Sequence, residues 1–131
     1  MSKNKVLIRK LRLAVYRTSL WVVISPSIRE SIDQVEDEIN ESLELPEDWK
    51  RSVYTFAYSY KDSGATRYLL FLRPNAKPGE VAHETKHILN MIFSWNGIRL
   101  TTANDEHECY YLEYLVNRIY TVLGYYKKYI T

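Results

Sequence analysis

With 131 residues, 46% of them hydrophobic and 26% charged, the chain is sized for one domain with a proper core, residues 1-131, and its composition gives no sign of disorder. A net charge of +2 is too small to argue for a nucleic-acid partner, and the most apolar short stretch, Leu20 to Ile24, is far too brief to span a bilayer. The basic start, Met1 to Lys5, runs into Arg9, Lys10 and Arg12 without a signal-peptide core, so the expectation is a cytoplasmic protein.

The charges are unevenly placed. Residues 1 to 28 hold six basic side chains and no acid, whereas Glu30 to Asp48 hold nine of the sixteen acids. Two solvated faces of opposite sign that attract one another account for this better than a phosphate-binding patch. A basic-tailed nucleic-acid module, built on the N-terminal segment of about residues 1-12, is the weakest of the readings considered, and salt-dependent retention on DNA would test it. Cys109 is the only cysteine, so no intrachain disulfide forms.

Leu11 to Ile24 is rich in Val, Leu, Tyr and Trp after an irregular basic lead-in, and its second half reads as a strand ending at Ser25-Pro26. Ser27 and Glu30 have the spacing of a capping box, and Ile28, Ile32, Val35, Ile39 and Leu43 recur at helical spacing, which predicts an amphipathic helix ending at Leu45-Pro46. Val53 to Tyr60 alternates with period two, Lys61 to Thr66 reads as a turn and Arg67 to Arg73 as a second strand, so a hairpin is expected. Pro78 suits the first turn of a helix running to about Trp95, with Asn96-Gly97 as its C-cap. A last helix is expected over Glu106 to Tyr129, with Cys109, Leu112, Val116, Ile119, Tyr120 and Leu123 as its buried stripe. The expected fold is α+β, a small, mainly antiparallel sheet packed on helices.

The second of these expected helices, the one from Pro78, contains His83-Glu84-Thr85-Lys86-His87, an H-E-x-x-H motif. Two histidines four apart share one helix face and can offer their ring nitrogens to a single metal ion. Glu84 follows the first of them directly, where a carboxylate stands beside the ion as a base for water. A catalytic zinc keeps three protein ligands and one open position, so a third ligand is needed. The candidate region is Asn104 to Tyr110: Glu106 has the best spacing, nineteen positions after His87, while Asp105, His107 and Glu108 compete with it. Two histidines and a carboxylate also suit iron or manganese.

HExxH followed at this distance by a glutamate on a second helix resembles the gluzincin metallopeptidases. The sequence is similar above all to very small zincin-like proteins, many of them phage-encoded, which combine HExxH, a Gly-containing turn, N-D-E, and an aromatic residue with Leu. Those elements here are His83 to His87, Asn96-Gly97, Asn104-Asp105-Glu106, and Tyr110 or Tyr111 with Leu112; the resemblance covers roughly residues 78 to 116. It implies a minimal zincin-like domain in which His83, His87 and Glu106 hold zinc, Glu84 is the general base and Asp105 orients a histidine. It further implies a hairpin whose edge strand pairs with an extended peptide or protein substrate. Gluzincins usually carry an aspartate four residues after the ligand glutamate, where this chain has Tyr110; Tyr110, Tyr114 and His107 are the candidates for stabilising an oxyanion.

The leading expectation is therefore a zinc-dependent, gluzincin-like metallopeptidase, with a non-catalytic structural or assembly protein on the same fold, plausibly of phage origin, as the alternative. Tyr125, Tyr126 and Tyr129 near the C-terminus suggest an interface with a protein partner or a second copy, or an aromatic cap on the fold. Cys109, on the expected apolar stripe, reads as a small buried residue.

Overall fold

The computed structural model describes residues 5–43, 53–59 and 66–131. Its sheet has four strands: β1 (Leu7–Arg12), β2 (Ser19–Ile24), β3 (Val53–Ser59) and β4 (Thr66–Leu72), in the order β1-β2-β4-β3. β1 is antiparallel to β2 and β3 to β4, but the central pair, β2 with β4, is parallel, with Ser19 opposite Arg67 and Ile24 opposite Leu72. The sheet is thus mixed, and the fold is α+β as expected. A parallel pair needs a long crossover, and α1 (Ile28–Ile39) lies within that crossover.

β2 and β4 are covered on both faces, which is why β2 reads as an unbroken apolar run. Successive side chains point to opposite faces. Trp21, Val23, Leu69 and Phe71 meet Ile28, Val35 and Ile39 of α1. Leu20, Val22, Leu70 and Leu72 face the other way, onto α2 (Pro78–Trp95) and α3 (Asp105–Tyr125). Each fully buried Leu, Ile or Val contributes about 1.5–3 kcal/mol of transfer free energy, so these two layers carry most of the stability.

β1 is a strand that the charged lead-in concealed. It is an edge strand, and Arg9, Lys10 and Arg12 along it discourage pairing with another chain. Lys10 reaches Glu38 of α1 at 2.5 Å, one contact of the attraction between basic and acidic faces, with both side chains about half exposed.

α1 starts where the capping box places it: Ser27 Oγ accepts from the Glu30 N–H at 3.2 Å. It ends earlier than the apolar spacing predicts, because Asn40 turns left-handed at φ 57° and the Glu36 carboxylate takes the Leu43 N–H at 2.6 Å. Leu43 still packs on the α1 face of the sheet. Leu45-Pro46 and the expected turn over 60–65 lie outside the described residues.

α2 matches its expected bounds. The Lys77 N–H donates to Glu80 at its start, and at its end Asn96 caps Ile92 while Gly97 adopts φ 71°, the left-handed conformation that favours glycine. A short 3-10 turn, Thr102–Asn104, leads into α3, which closes in a π-helical turn, Tyr126–Ile130. The buried face of α3 is Tyr111, Leu115, Ile119, Val122 and Leu123, one residue out of phase with the expected stripe over most of its length. Leu112, Val116 and Tyr120 are therefore half-buried, and Cys109 is exposed rather than buried. No described helix is long and apolar enough to cross a membrane.

Candidate metal centre

α2 is cut along its length into two sides. Val81, Glu84, Thr85, Ile88, Leu89 and Ile92 are buried, whereas Ala82, His83, His87 and Asn90 are exposed. Because Ile88 and Leu89 anchor the helix in the core, the motif histidines are left at its solvent margin. Their Nε2 atoms are 3.2 Å apart, with the rings 4.8 Å between centroids and nearly perpendicular. Two nitrogens each about 2.0–2.1 Å from one tetrahedral zinc stand roughly 3.3 Å apart, so the pair has the spacing of two corners of such a site.

Glu84 is only 5% exposed. A buried carboxylate needs hydrogen-bonding partners to offset its desolvation. Thr55 of β3 provides one, donating to Oε2 at 2.7 Å, while Oε1 lies 4.0 Å from His83 Nε2. One oxygen is thus tied to the sheet and the other is aimed toward the histidine pair. Glu84 and His87 border a cleft of about 660 Å³ between α2 and the β3–β4 side of the sheet, whose wall also includes Thr55, Tyr68, Met91 and Trp95. β3 is the outer strand of the described sheet on this side, and its Thr55 and Ala57 border the cleft.

The remaining sequence candidates are at the start of α3. Glu106 is exposed there, and Lys86, next to His87, pairs with Glu108, which holds this first turn of α3 against the motif helix. Asp105 accepts from the Cys109 thiol at 3.9 Å instead of contacting a motif histidine. Among the described residues, no three His, Cys, Asp or Glu side chains form a group that could hold an ion, so the structure brings His83 and His87 together but does not join Glu106 to them. Desolvation, then the carboxylates of Asp105, Glu108 and Glu106, push the Cys109 thiol up, which keeps it protonated and a poor nucleophile.

Tyr110 is 65% exposed on the surface of α3. The other oxyanion candidates serve a different structure, the β1–β2 turn. Tyr16 Oη and His107 Nε2 are 2.6 Å apart, with His107 stacked on Phe93. Tyr111 donates to the Ala14 carbonyl at 2.8 Å, and Tyr114 accepts from the Ala14 N–H at 2.9 Å. Burial, then the neighbouring Tyr114 and Tyr16 hydroxyls, push the Tyr111 phenol well above its ordinary value.

Thr55 and Trp95 were not singled out in the sequence. Thr55 is the polar side chain at which β3 meets the motif helix, and the period-two alternation of the sequence there offered the one available signal. Compared with models of known protein families, with curated proteins and with solved structures, the chain matches none.

Proposed function

We propose that this chain is a minimal zinc-dependent peptidase domain in which His83, His87 and Glu106 hold the ion and Glu84 is the general base. The observation that carries the reading is the paired Nε2 atoms, 3.2 Å apart, beside a buried carboxylate at the wall of a cleft. When bound, the zinc supplies Lewis acidity to the scissile carbonyl and to water. Glu84 takes the proton of the attacking water through Oε1 and passes it to the leaving amine, while Thr55 fixes Oε2 and with it the direction of the carboxylate. The edge of β3 offers main-chain hydrogen bonds to an extended peptide. This reading requires Glu106 to move to the histidine pair from its exposed position on a turn docked on α2 through Glu108 and Lys86. Tyr110 and Asp105 have no assigned part in this mechanism.

Elemental analysis of the purified protein tests the reading. About one zinc per chain, lost in His87→Ala and Glu106→Ala, supports it, and peptide hydrolysis abolished in a zinc-loaded Glu84→Gln variant completes the case. Protein that neither holds nor takes up zinc sinks it.

A second reading, a structural or assembly protein without turnover, draws on the exposed tyrosines of the C-terminal helical segment. Tyr110, Tyr125 and Tyr129 are 65%, 42% and 62% exposed, and such side chains suit a contact with a partner or a second copy. Concentration-dependent self-association lost in Tyr125→Ser/Tyr129→Ser, in a protein without hydrolytic activity, would favour it.

A further inference from the structure

The cleft beside the histidine pair has a continuation. A second cavity, about 610 Å³, opens under the β1–β2 turn, and its wall includes Arg12, Arg17, Arg67 and Tyr16. A smaller one of about 170 Å³ lies between the two. Thr66 borders all three, Tyr68 and Trp95 belong to the first and third, and Tyr16 and Arg17 to the second and third. A trough therefore runs from Glu84 and His87, past Trp95, around the start of β4 to the arginines.

The far end is strongly cationic. Three arginines border the second cavity, and none of its described wall residues is acidic. Arg67 is steadied over the Trp21 ring at 5.2 Å, whereas Arg12 and Arg17 have no carboxylate partner among the described residues. The turn that carries Arg17 is firmly held, since Tyr111 and Tyr114 grip both polar groups of Ala14, and Tyr16 meets His107. Its tip, Val15, stands at φ 72° and is 77% exposed. A β-branched residue in that conformation is strained, and it persists only where its surroundings fix the backbone. Arg17 is thus presented by a braced turn.

We propose that this arginine-lined end binds a carboxylate of the substrate, so that the peptide acted on carries an acidic side chain or a free C-terminus at least about four residues from the scissile bond. The inference rests on the peptidase reading for its scissile bond. The spacing comes from the sheet register: Thr55, which holds Glu84, is opposite Leu70, and Ser59 is opposite Thr66. From Leu70 to Thr66 is roughly 13 Å at ~3.3 Å per residue, the length of about four extended residues, and the arginines lie beyond Thr66, so this is the least separation. Guanidinium forks recognise carboxylates by paired, charge-assisted hydrogen bonds, which suits Arg12 and Arg17 to this part. Trp95, 66% exposed on the way, offers its ring to an apolar side chain in between.

The test uses the zinc-loaded Glu84→Gln chain, which is to bind without cleaving, and fluorescently labelled octapeptide pools of randomised sequence lacking Asp and Glu. One pool ends in a free carboxylate, one in an amide, and one in an amide with Asp at the seventh position. Anisotropy should show at least one acidic pool bound about tenfold more tightly than the neutral amide, with the gain shrinking as salt rises. The gain should vanish in Arg12→Gln/Arg17→Gln, whose zinc content and circular dichroism stay those of the parent. Preference for the free acid alone assigns the site to a C-terminus, and preference for the Asp pool alone to an acidic side chain. Equal or undetectable binding of all pools, or a preference that survives the double substitution, overturns the inference. Cleavage by the unsubstituted chain separates the two ideas. Selective binding without cleavage of any pool leaves the carboxylate site standing and removes the peptidase reading; cleavage without selectivity does the reverse.

Discussion

The two halves of the proposed metal centre are built in opposite ways. His83 and His87 are exposed, but between them run Glu84, Thr85 and, just beyond, Ile88, which are 5%, 0% and 0% exposed, so the pair is set by a helix fixed in the core. Glu106 stands in a turn where Asp105, His107, Cys109 and Tyr110 are exposed as well, held to α2 through Glu108 and Lys86. The histidines are preorganised and their carboxylate is adjustable. On the proposed reading an ion would meet two ligands in place and recruit the third, and the exposed third could be altered without harm to the fold.

The largest effect expected from breaking this contrast is chemical. Glu84→Gln should lower peptide hydrolysis by roughly 10²–10⁴-fold while zinc content stays unchanged, read by initial rates and elemental analysis on the same samples. On the rigid side, Ile88→Ala should cost about 2–5 kcal/mol in denaturant unfolding and weaken zinc binding along with it, since it loosens the helix that spaces the histidines. Intact zinc affinity in that variant would show that the pair does not depend on the core.

On the adjustable side, zinc at about 100 times its dissociation constant should stabilise the folded chain by ~2.7 kcal/mol, reversed by a chelator. Glu106→Ala should remove most of that gain, yet shift the metal-free stability by no more than about 0.5 kcal/mol, as befits an exposed position. An equal loss with and without zinc would make Glu106 a structural residue.

The smallest effect concerns the brace on the β1–β2 turn. Tyr111→Phe should cost about 1 kcal/mol by losing the bond to Ala14. The phenol's pKa in the fold is raised above the ordinary 10.0, so its contribution to stability is complete below about pH 10 and is lost as the pH climbs beyond. Urea midpoints taken from pH 8 to 11 should therefore fall less steeply in Tyr111→Phe than in the parent; parallel curves would dismiss the assignment.

Local patterns were legible in the sequence wherever neighbours along the chain decide the structure. The Ser27 cap, the bounds of α2, and the alternation of β3 against β4 all depend on residues a few positions apart. Legibility failed where distant packing decides. β1 was hidden because an edge strand tolerates the charges of Arg9, Lys10 and Arg12, and the parallel union of β2 with β4 leaves no local mark. The phase of α3 was misread because Tyr111 and Leu115, adjacent to the expected Leu112 and Val116, are drawn inward by the sheet face and by the Ala14 bond. At the site, the H-E-x-x-H spacing announced the histidine pair, but the Thr55 hydroxyl and the arginine-lined end of the trough come from strands whose meeting no spacing records.

The parallel pairing at the middle of the sheet also bears on how the chain reaches its native state. The β1–β2 and β3–β4 hairpins close over short spans and can form in about 1–10 μs, but Ser19 must still find Arg67 across the whole α1 crossover. Bringing the two hairpins together is then the slow event, and α1, whose Val35 and Ile39 meet both central strands, is placed to guide it. Val35→Ala should accordingly slow refolding more than it speeds unfolding, whereas Leu123→Ala, near the end of α3, should do the reverse; stopped-flow chevrons with equal arms for both would show that no part of the sheet assembles ahead of the rest.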